Sequence, residues 1–473
     1  MRNCHHDVVS AAEMLGFGEP EQLGTPPTGA MDGDEQPSTV RHYPSKVPVA
    51  SLLASAPTSC LLGAVGFDLR SYEDLSGQHL SRRSYFPIVM ALRRHEGPAD
   101  PEESTSPSLV IVGGKVDSPV AEHSGYQSVI PHLRSSTRVT VLPLSQYRPP
   151  LVPGRIWSRV ASSTGVKWYH SEALSLEADA ARLMLRARGA LYHTLYGEDH
   201  YRYLGYASKL IGRSRSRVIA TFHQPPAVFS QAYRANEAIA QLDAAIVVAG
   251  VQAESLTTLM PSERVFVIPH GVDTNFFSPA SRKGSVTNSC LFVGDWLRDF
   301  DTLRWFAKEM STRRPELIIN VVTPASNLQR LGDLPNVKAL PRLSDPQLRE
   351  AYQSATMLLL PLLDATANNS LLEGLSCGLP AVVSDVGGVR DYVDGTCAIL
   401  VGRDDRDQFV RAAESLLDDP SLRQRLSRSA RERALELDWS VIARRLMAVY
   451  EETRRRPPGG RGGSSSQQLR AMA

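Results

Sequence analysis

The chain has no uninterrupted apolar stretch approaching the roughly 20 residues that a membrane-spanning helix requires, so nothing in it reads as a transmembrane segment. Its first residues, MRNCHHDVVSAAEMLGFGEP, lack the basic-then-apolar order of a secretory leader. Cysteine is scarce: five in 473 residues, an odd number without regular spacing. That argues against a disulfide framework and for free thiols in a reducing compartment, so a cytoplasmic location is expected. No His/Cys cluster has metal-ligand spacing, and the pair His5-His6 stands alone. No basic helix is interleaved with aromatics, which removes nucleic acid from the expected partners.

Net charge is nearly absent too, at a formal +2, but it is unevenly spread. From Pro131 to Ala220 there are 14 Lys/Arg against 5 Asp/Glu, a local excess of nine. A basic face of this kind attracts anionic headgroups or a phosphate-bearing acceptor, so peripheral contact with the inner face of a membrane is an expectation. A solvated Arg-rich surface is the plain alternative.

What is present is a long alternation of short apolar runs and helical patterns. Residues 1–106 read as a poorly ordered N-terminal extension. Gly24–Val49 and Gly97–Pro107 are rich in Pro, Thr, Gly and charge, and only Tyr85–Arg94 has a helical look. Order is expected to begin at Ser108-Leu-Val-Ile-Val-Gly113-Gly114, a buried strand ending in glycines. Further strands are expected at Arg138–Leu142, Ala190–His193, Val218–His223, Ala244–Val248 and Val265–Pro269. A second series is expected at Ser289–Gly294, Leu317–Thr323, Val337–Leu340, Met357–Leu363, Ala381–Asp385 and Ala398–Val401, with helices such as Asp301–Met310, Asp345–Ser354 and Asp404–Asp418 between them. The chain is therefore expected to be α/β, with two Rossmann-like domains at 107–270 and 271–435 facing across a cleft. A helix is expected at 436–452 and a disordered tail at 453–473.

Residues 357–393, MLLLPLLDATANNSLLEGLSCGLPAVVSDVGGVRDYV, carry the most information. An apolar run reads as a strand buried on both faces and stopped at Pro361. The turn-formers Asp364–Asn369 follow, then a helix opened by Ser370-Leu371-Leu372-Glu373 that ends at Cys377-Gly378, and a second strand leading to Gly387-Gly388. Ligands in open α/β sheets bind beyond the carboxyl ends of strands, and helix N-termini attract phosphates. The segment thus predicts an anionic ligand on the backbone of Asn368, Asn369, Ser370 and Leu371, with Glu373 nearby. Ionised, Glu373 would accept hydrogen bonds from adjacent hydroxyls. The plain alternative makes Ser370-x-x-Glu373 a capping box.

The same stretch resembles the donor-binding half of retaining glycosyltransferases of family 4 (glycosyl transferases group 1), which have the GT-B fold. Glu373, Gly378, Pro380, Gly387 and Gly388 match that family's pattern, and Pro269-His270-Gly271-Val272-Asp273 resembles its interdomain linker. The first acid of the pattern is missing: eight positions before Glu373 stands Ala365, with Asp364 beside it as a stand-in for sugar contact. The resemblance covers about residues 108–452 and implies an acceptor domain, then a nucleotide-sugar domain, then a helix crossing back to the first. It implies transfer of a sugar from a nucleoside-diphosphate sugar, with retention and without a metal or other cofactor, to a saccharide, lipid-linked or small-molecule acceptor. It places Arg298, in the loop after Gly294, against the diphosphate, Gly125 close to the phosphates, and His223 near the transferred sugar. The segment Tyr196-Gly197-Glu198-Asp199 is a candidate source of an acceptor-side acid, Glu198 or Asp199, by position alone. A nucleotide-sugar epimerase or hydrolase of the same fold, and a non-catalytic nucleotide-sugar binder, are the alternatives.

Overall fold

In the computed structural model the described residues are 108–456, apart from 114–121, 144–153, 163–167, 188, 212–214, 233–235, 281–287 and 341. The expectations for residues 1–106, for the helix Tyr85–Arg94, for Gly114 and for the tail beyond 456 lie outside them.

Two six-stranded, wholly parallel sheets form the frame. The first contains β1 (Leu109–Val112), β2 (Val139–Leu142), β3 (Leu191–Thr194), β4 (Arg217–Phe222), β5 (Ala244–Val247) and β6 (Val265–Val267), in the order β2-β1-β3-β4-β5-β6. The second contains β7 (Ser289–Val293), β8 (Ile318–Val322), β9 (Val337–Leu340), β10 (Met357–Leu360), β11 (Ala381–Ser384) and β12 (Ala398–Val401), in the order β12-β11-β10-β7-β8-β9. The strand order of each sheet reverses once, between β1 and β3 and between β7 and β10. Such reversals open the crevices in which doubly wound sheets bind ligands.

The central strands, such as β1, β3, β5, β7, β10 and β11, are buried because both faces are covered. Along β10, Leu358 and Leu360 enter one core cluster while Met357 and Leu359 enter the cluster on the opposite face. This alternation follows from the period of two, and it explains why the sequence shows an unbroken apolar run rather than an amphipathic one. Pairing of β10 ends at Leu360, just before Pro361.

The helix Trp439–Arg455 does cross to the first sheet. Trp439, Ile442, Leu446, Val449 and Tyr450 pack with Leu109, Ile111 and Ile219, and the Tyr450 hydroxyl lies 2.7 Å from His193 Nδ1. It runs to Arg455, three residues past the expected end, with the buried Thr453 bonded to Val449 O at 2.8 Å; residues 453–455 are thus helix rather than tail. Its start is joined to the interdomain linker: Val272 N donates to Leu437 O at 3.0 Å, and Trp439 N to Val272 O at 3.2 Å. A Cβ on Gly271 would run into the Trp439 ring, so glycine is what lets the linker and helix approach here.

One helix of the second half has no counterpart in the expected elements. Pro420–Glu436, N-capped by Asp419, packs Leu426, Ala430 and Ala434 inward. Its apolar stripe is narrow and built partly of alanines, so its arginine-rich sequence hides the helical period.

Candidate active site

The site lies where the carboxyl ends of the two sheets meet. On the second half it occupies the β7/β10 switch point. The helix Asn369–Ser376 starts there because the Asn368 side chain accepts from Leu371 N at 3.1 Å, a normal N-cap. It stops at Cys377 because Gly378 adopts φ 68, with Gly378 N bonded to Leu375 O at 2.9 Å and Leu379 N to Gly374 O at 2.9 Å.

With Asn368 as the cap, Glu373 is not the acid of a capping box. It sits on the buried side of the helix, 5% exposed. Its Oε2 accepts from the Tyr352 hydroxyl at 2.9 Å and its Oε1 from the Ser124 hydroxyl, across from the first half, at 2.7 Å. Burial pushes its pKa up to about 7, and the two hydroxyl donors oppose that rise without cancelling it.

Arg298 is the hub of the turn. Its Nε donates to Val293 O at 2.9 Å and its Nη1 to Trp296 O at 3.1 Å; Nη2 donates to Asn368 Oδ1 and Ser370 Oγ, both at 3.2 Å. Burial lowers its pKa to about 10, still charged at neutral pH. Gly294, at φ 105, lets the guanidinium pass: a Cβ there would be 2.6 Å from Nη2. The arginine expected to face a diphosphate directly is, in this structure, turned into the loop and ties it to the start of the helix at Asn368 and Ser370.

Two donor-side expectations are corrected. The N–H of Leu371, expected to reach a ligand, is taken by the Asn368 cap, and the Leu371 side chain is in the core. Asp364 turns its Oδ1 to Ala365 N at 2.8 Å and packs against Gly387, whose Cβ would lie 2.5 Å from that oxygen. Ala365, where the family pattern has its first acid, is a buried core residue. Asn369 is exposed at the helix start.

From the first half, the loop after β1 reaches over the second. His123 N donates to Asp345 Oδ2 at 2.8 Å, and its Nδ1 lies 2.7 Å from Asp273 Oδ2. Its ring stacks on Phe276 at 3.6 Å between centroids. Gly125, at φ 94, then turns the chain into the 3₁₀ helix Tyr126–Val129. The loop expected near donor phosphates therefore lies directly over Glu373.

His223 follows β4 and faces the same region. The Thr366 hydroxyl of the second half donates to His223 O. Its ring packs edge-on to Tyr126 at 4.9 Å and lies 5.1 Å from Tyr196. Glu198 fixes it: Oε1 accepts from His223 N and, at 2.9 Å, from Gln224 N, while Oε2 lies 3.4 Å from His223 Nδ1. Burial opposes a charge on Glu198, yet the His223 ring and backbone donors prevail and hold its pKa below the usual value. Nδ1 is turned to a carboxylate and Nε2 points away from it. Nε2 is buried without a hydrogen-bond partner among the described residues. Glu198 was legible only by position. Ser124, Tyr352 and the Tyr126/Tyr196 walls had no signal of their own, because each acts on a residue tens to hundreds of positions away.

The halves are further tied by Tyr392, whose hydroxyl donates to Val248 O and accepts from His270 N at 2.9 Å. Asp391 also accepts from Gly250 N at 2.7 Å.

The arrangement has counterparts among solved structures. A trehalose-phosphate synthase (UDP-forming) from Burkholderia vietnamiensis superposes with a TM-score of 0.58 at 13% identity, covering 74% of this chain and 100% of that one. A sucrose-phosphate synthase from Thermosynechococcus elongatus gives 0.55 at 18% identity, covering 74% and 99%. Anabaena HepE, crystallised with UDP and glucose, gives 0.52 at 12% identity, covering 73% and 99%. At these identities the likeness is one of fold, and that fold is GT-B. Residues 287–419, in the second half, match the family described as glycosyl transferases group 1.

Among curated proteins, the D-inositol 3-phosphate glycosyltransferase of Thermobispora bispora is 30% identical over 219 residues, 41% of this chain and 51% of that protein. The MMP alpha-(1->4)-mannosyltransferase of Mycolicibacterium hassiacum is 29% identical over 227 residues, 45% and 54%. The chain thus spans about half the length of the curated relatives it matches. No described helix is long and apolar enough to cross a membrane.

Proposed function

We propose that the protein transfers a sugar from a nucleoside-diphosphate sugar to an acceptor hydroxyl. One observation carries this reading: Arg298, the Asn368-capped start of a helix and the buried carboxylate of Glu373 meet at the switch point of one sheet, with His223 opposite on the other. A diphosphate at this turn would lie against a helix N-terminus, worth on the order of half a positive charge, backed by a guanidinium. A ribose on Glu373 would replace the Ser124 hydroxyl, so the His123–Gly125 loop moves as the donor enters.

In the step itself the bond from the anomeric carbon to the phosphate oxygen breaks as the acceptor oxygen forms its own bond to that carbon. The acceptor hydroxyl approaches on the face the phosphate leaves, which retains configuration. The departing phosphate oxygen takes the acceptor's proton, and Arg298 with the helix start stabilises the charge that accumulates there, so no metal ion is invoked. His223, oriented by Glu198, presents Nε2 to the sugar.

The acceptor is a saccharide, a lipid-linked compound or a small molecule, in keeping with the inositol phosphate and mannosyl names of the relatives. The excess of Lys and Arg over residues 131–220 of the sequence favours work at the cytoplasmic face of a membrane.

Incubation with labelled UDP- and GDP-sugars tests the reading. Slow release of free sugar and nucleoside diphosphate is expected. An epimerised donor, or binding without product, would replace it with one of the other two functions.

A further inference from the structure

The loop after β7 carries a side chain that neither the donor site nor the core uses. Trp296 is 50% exposed, large for an indole in a folded domain. It is nevertheless held firmly. Its Nε1 donates to Gln224 Oε1 of the first half at 3.1 Å. Trp168, also of the first half, stands edge-on at 6.4 Å between centroids and 76°. Leu297 adopts φ 55, a left-handed backbone that a leucine rarely takes. Leu363, 42% exposed, is joined to this loop by its N–H to Leu297 O at 2.9 Å.

This rim borders the candidate chemistry of both halves. Gln224 adjoins His223, and Trp296 O accepts from Arg298 Nη1 at 3.1 Å. A half-exposed indole pinned by its N–H is a rigid apolar surface with a polar amide at its edge. The apolar C–H face of a pyranose covers such a surface, and its hydroxyls meet the amide. The side chains of Trp296, Trp168, Gln224 and Leu363 carry no charge, which sets them apart from a seat for a phosphorylated headgroup.

We propose that Trp296, with Trp168 and Gln224, forms a saccharide-binding platform that holds the sugar acceptor beside His223. The proposal rests on the transferase reading and names its acceptor class.

The experiment titrates the full chain with maltotriose, mannotriose and chitotriose while following tryptophan emission, in wild type, W296A and W296F. The chain has five tryptophans, so the Trp296 contribution is read by difference. The expected result is a saturable emission change with at least one trisaccharide, lost in W296A, with binding largely kept in W296F as followed by calorimetry. In transfer assays with that saccharide, W296A should raise its KM at least tenfold while kcat at saturation falls less than threefold. No emission change in wild type, or one that persists in W296A, overturns the platform. So does a fall in kcat without a change in KM, which would make Trp296 a support for Arg298 alone. Release of nucleoside diphosphate from UDP- and GDP-sugars without saccharide is measured alongside. Its absence would sink the transferase reading, while the titration still decides whether saccharide binds.

Discussion

The two halves share one architecture and use it differently. Each is a six-stranded parallel sheet with one reversal of strand order, and each presents its strand ends to the other. In the second half the candidate chemistry comes from two segments, 293–298 and 364–373, adjacent across β7 and β10. In the first half it comes from three separate loops: His123–Gly125 after β1, Glu198 after β3 and His223 after β4. A fold can thus concentrate a site at a single switch point or spread it along a row of strand ends. The dispersed version depends on more long-range contacts to hold each group in place.

Substitutions in the two halves should separate these designs. The largest effect is expected from Arg298→Ala, which removes four hydrogen bonds that join the loop after β7 to the helix start at Asn368 and Ser370. Turnover should fall at least tenfold, about 1.4 kcal/mol in the barrier, and unfolding should become easier by about 1–3 kcal/mol from the lost hydrogen bonds of the guanidinium. Normal turnover with lowered stability would make Arg298 a structural clamp only.

Glu198→Gln comes next and probes the first half. The amide cannot accept from two backbone N–H groups while carrying the charge that faces the His223 ring. Turnover is expected to fall about tenfold, with a changed pH–rate profile and little change in donor KM. An unchanged profile would leave Glu198 as a turn clamp.

The third prediction concerns pH. Burial raises Glu373 to about 7. The folded protein therefore holds a proton that the unfolded chain loses near the ordinary carboxyl value of about 4.5. Its contribution to stability is fully present below that value and is lost as pH rises through about 7. Donor binding has the opposite sign, because the ionised carboxylate is the better acceptor for ribose hydroxyls: affinity should rise as pH passes through 7. Glu373→Gln should abolish both trends, which calorimetric titrations and melting curves between pH 5 and 8 would detect. A wild-type affinity that is flat across that range would remove Glu373 from the ribose site.

The smallest effect is expected from Ser124→Ala. Deleting the hydroxyl that occupies Glu373 Oε1 should tighten donor binding severalfold, in line with the roughly 1 kcal/mol of one hydrogen bond. Weaker binding would mean that Ser124 stays with the donor rather than giving way to it.

The sequence by itself determined the strands of both sheets, because a strand buried on both faces must be an unbroken apolar run and helix ends carry local caps and glycines. It determined the cluster around Glu373 for the same reason, since cap, acid and glycine pair all lie within 37 residues. Only the tertiary structure decided which way each polar group turned. Asn368 rather than Ser370 became the cap, Arg298 faced inward, Asp364 folded onto Gly387, and Ser124 met Glu373 from 249 positions away. Such choices depend on which buried donors and acceptors need partners after the halves pack, and no local pattern of residues encodes that pairing.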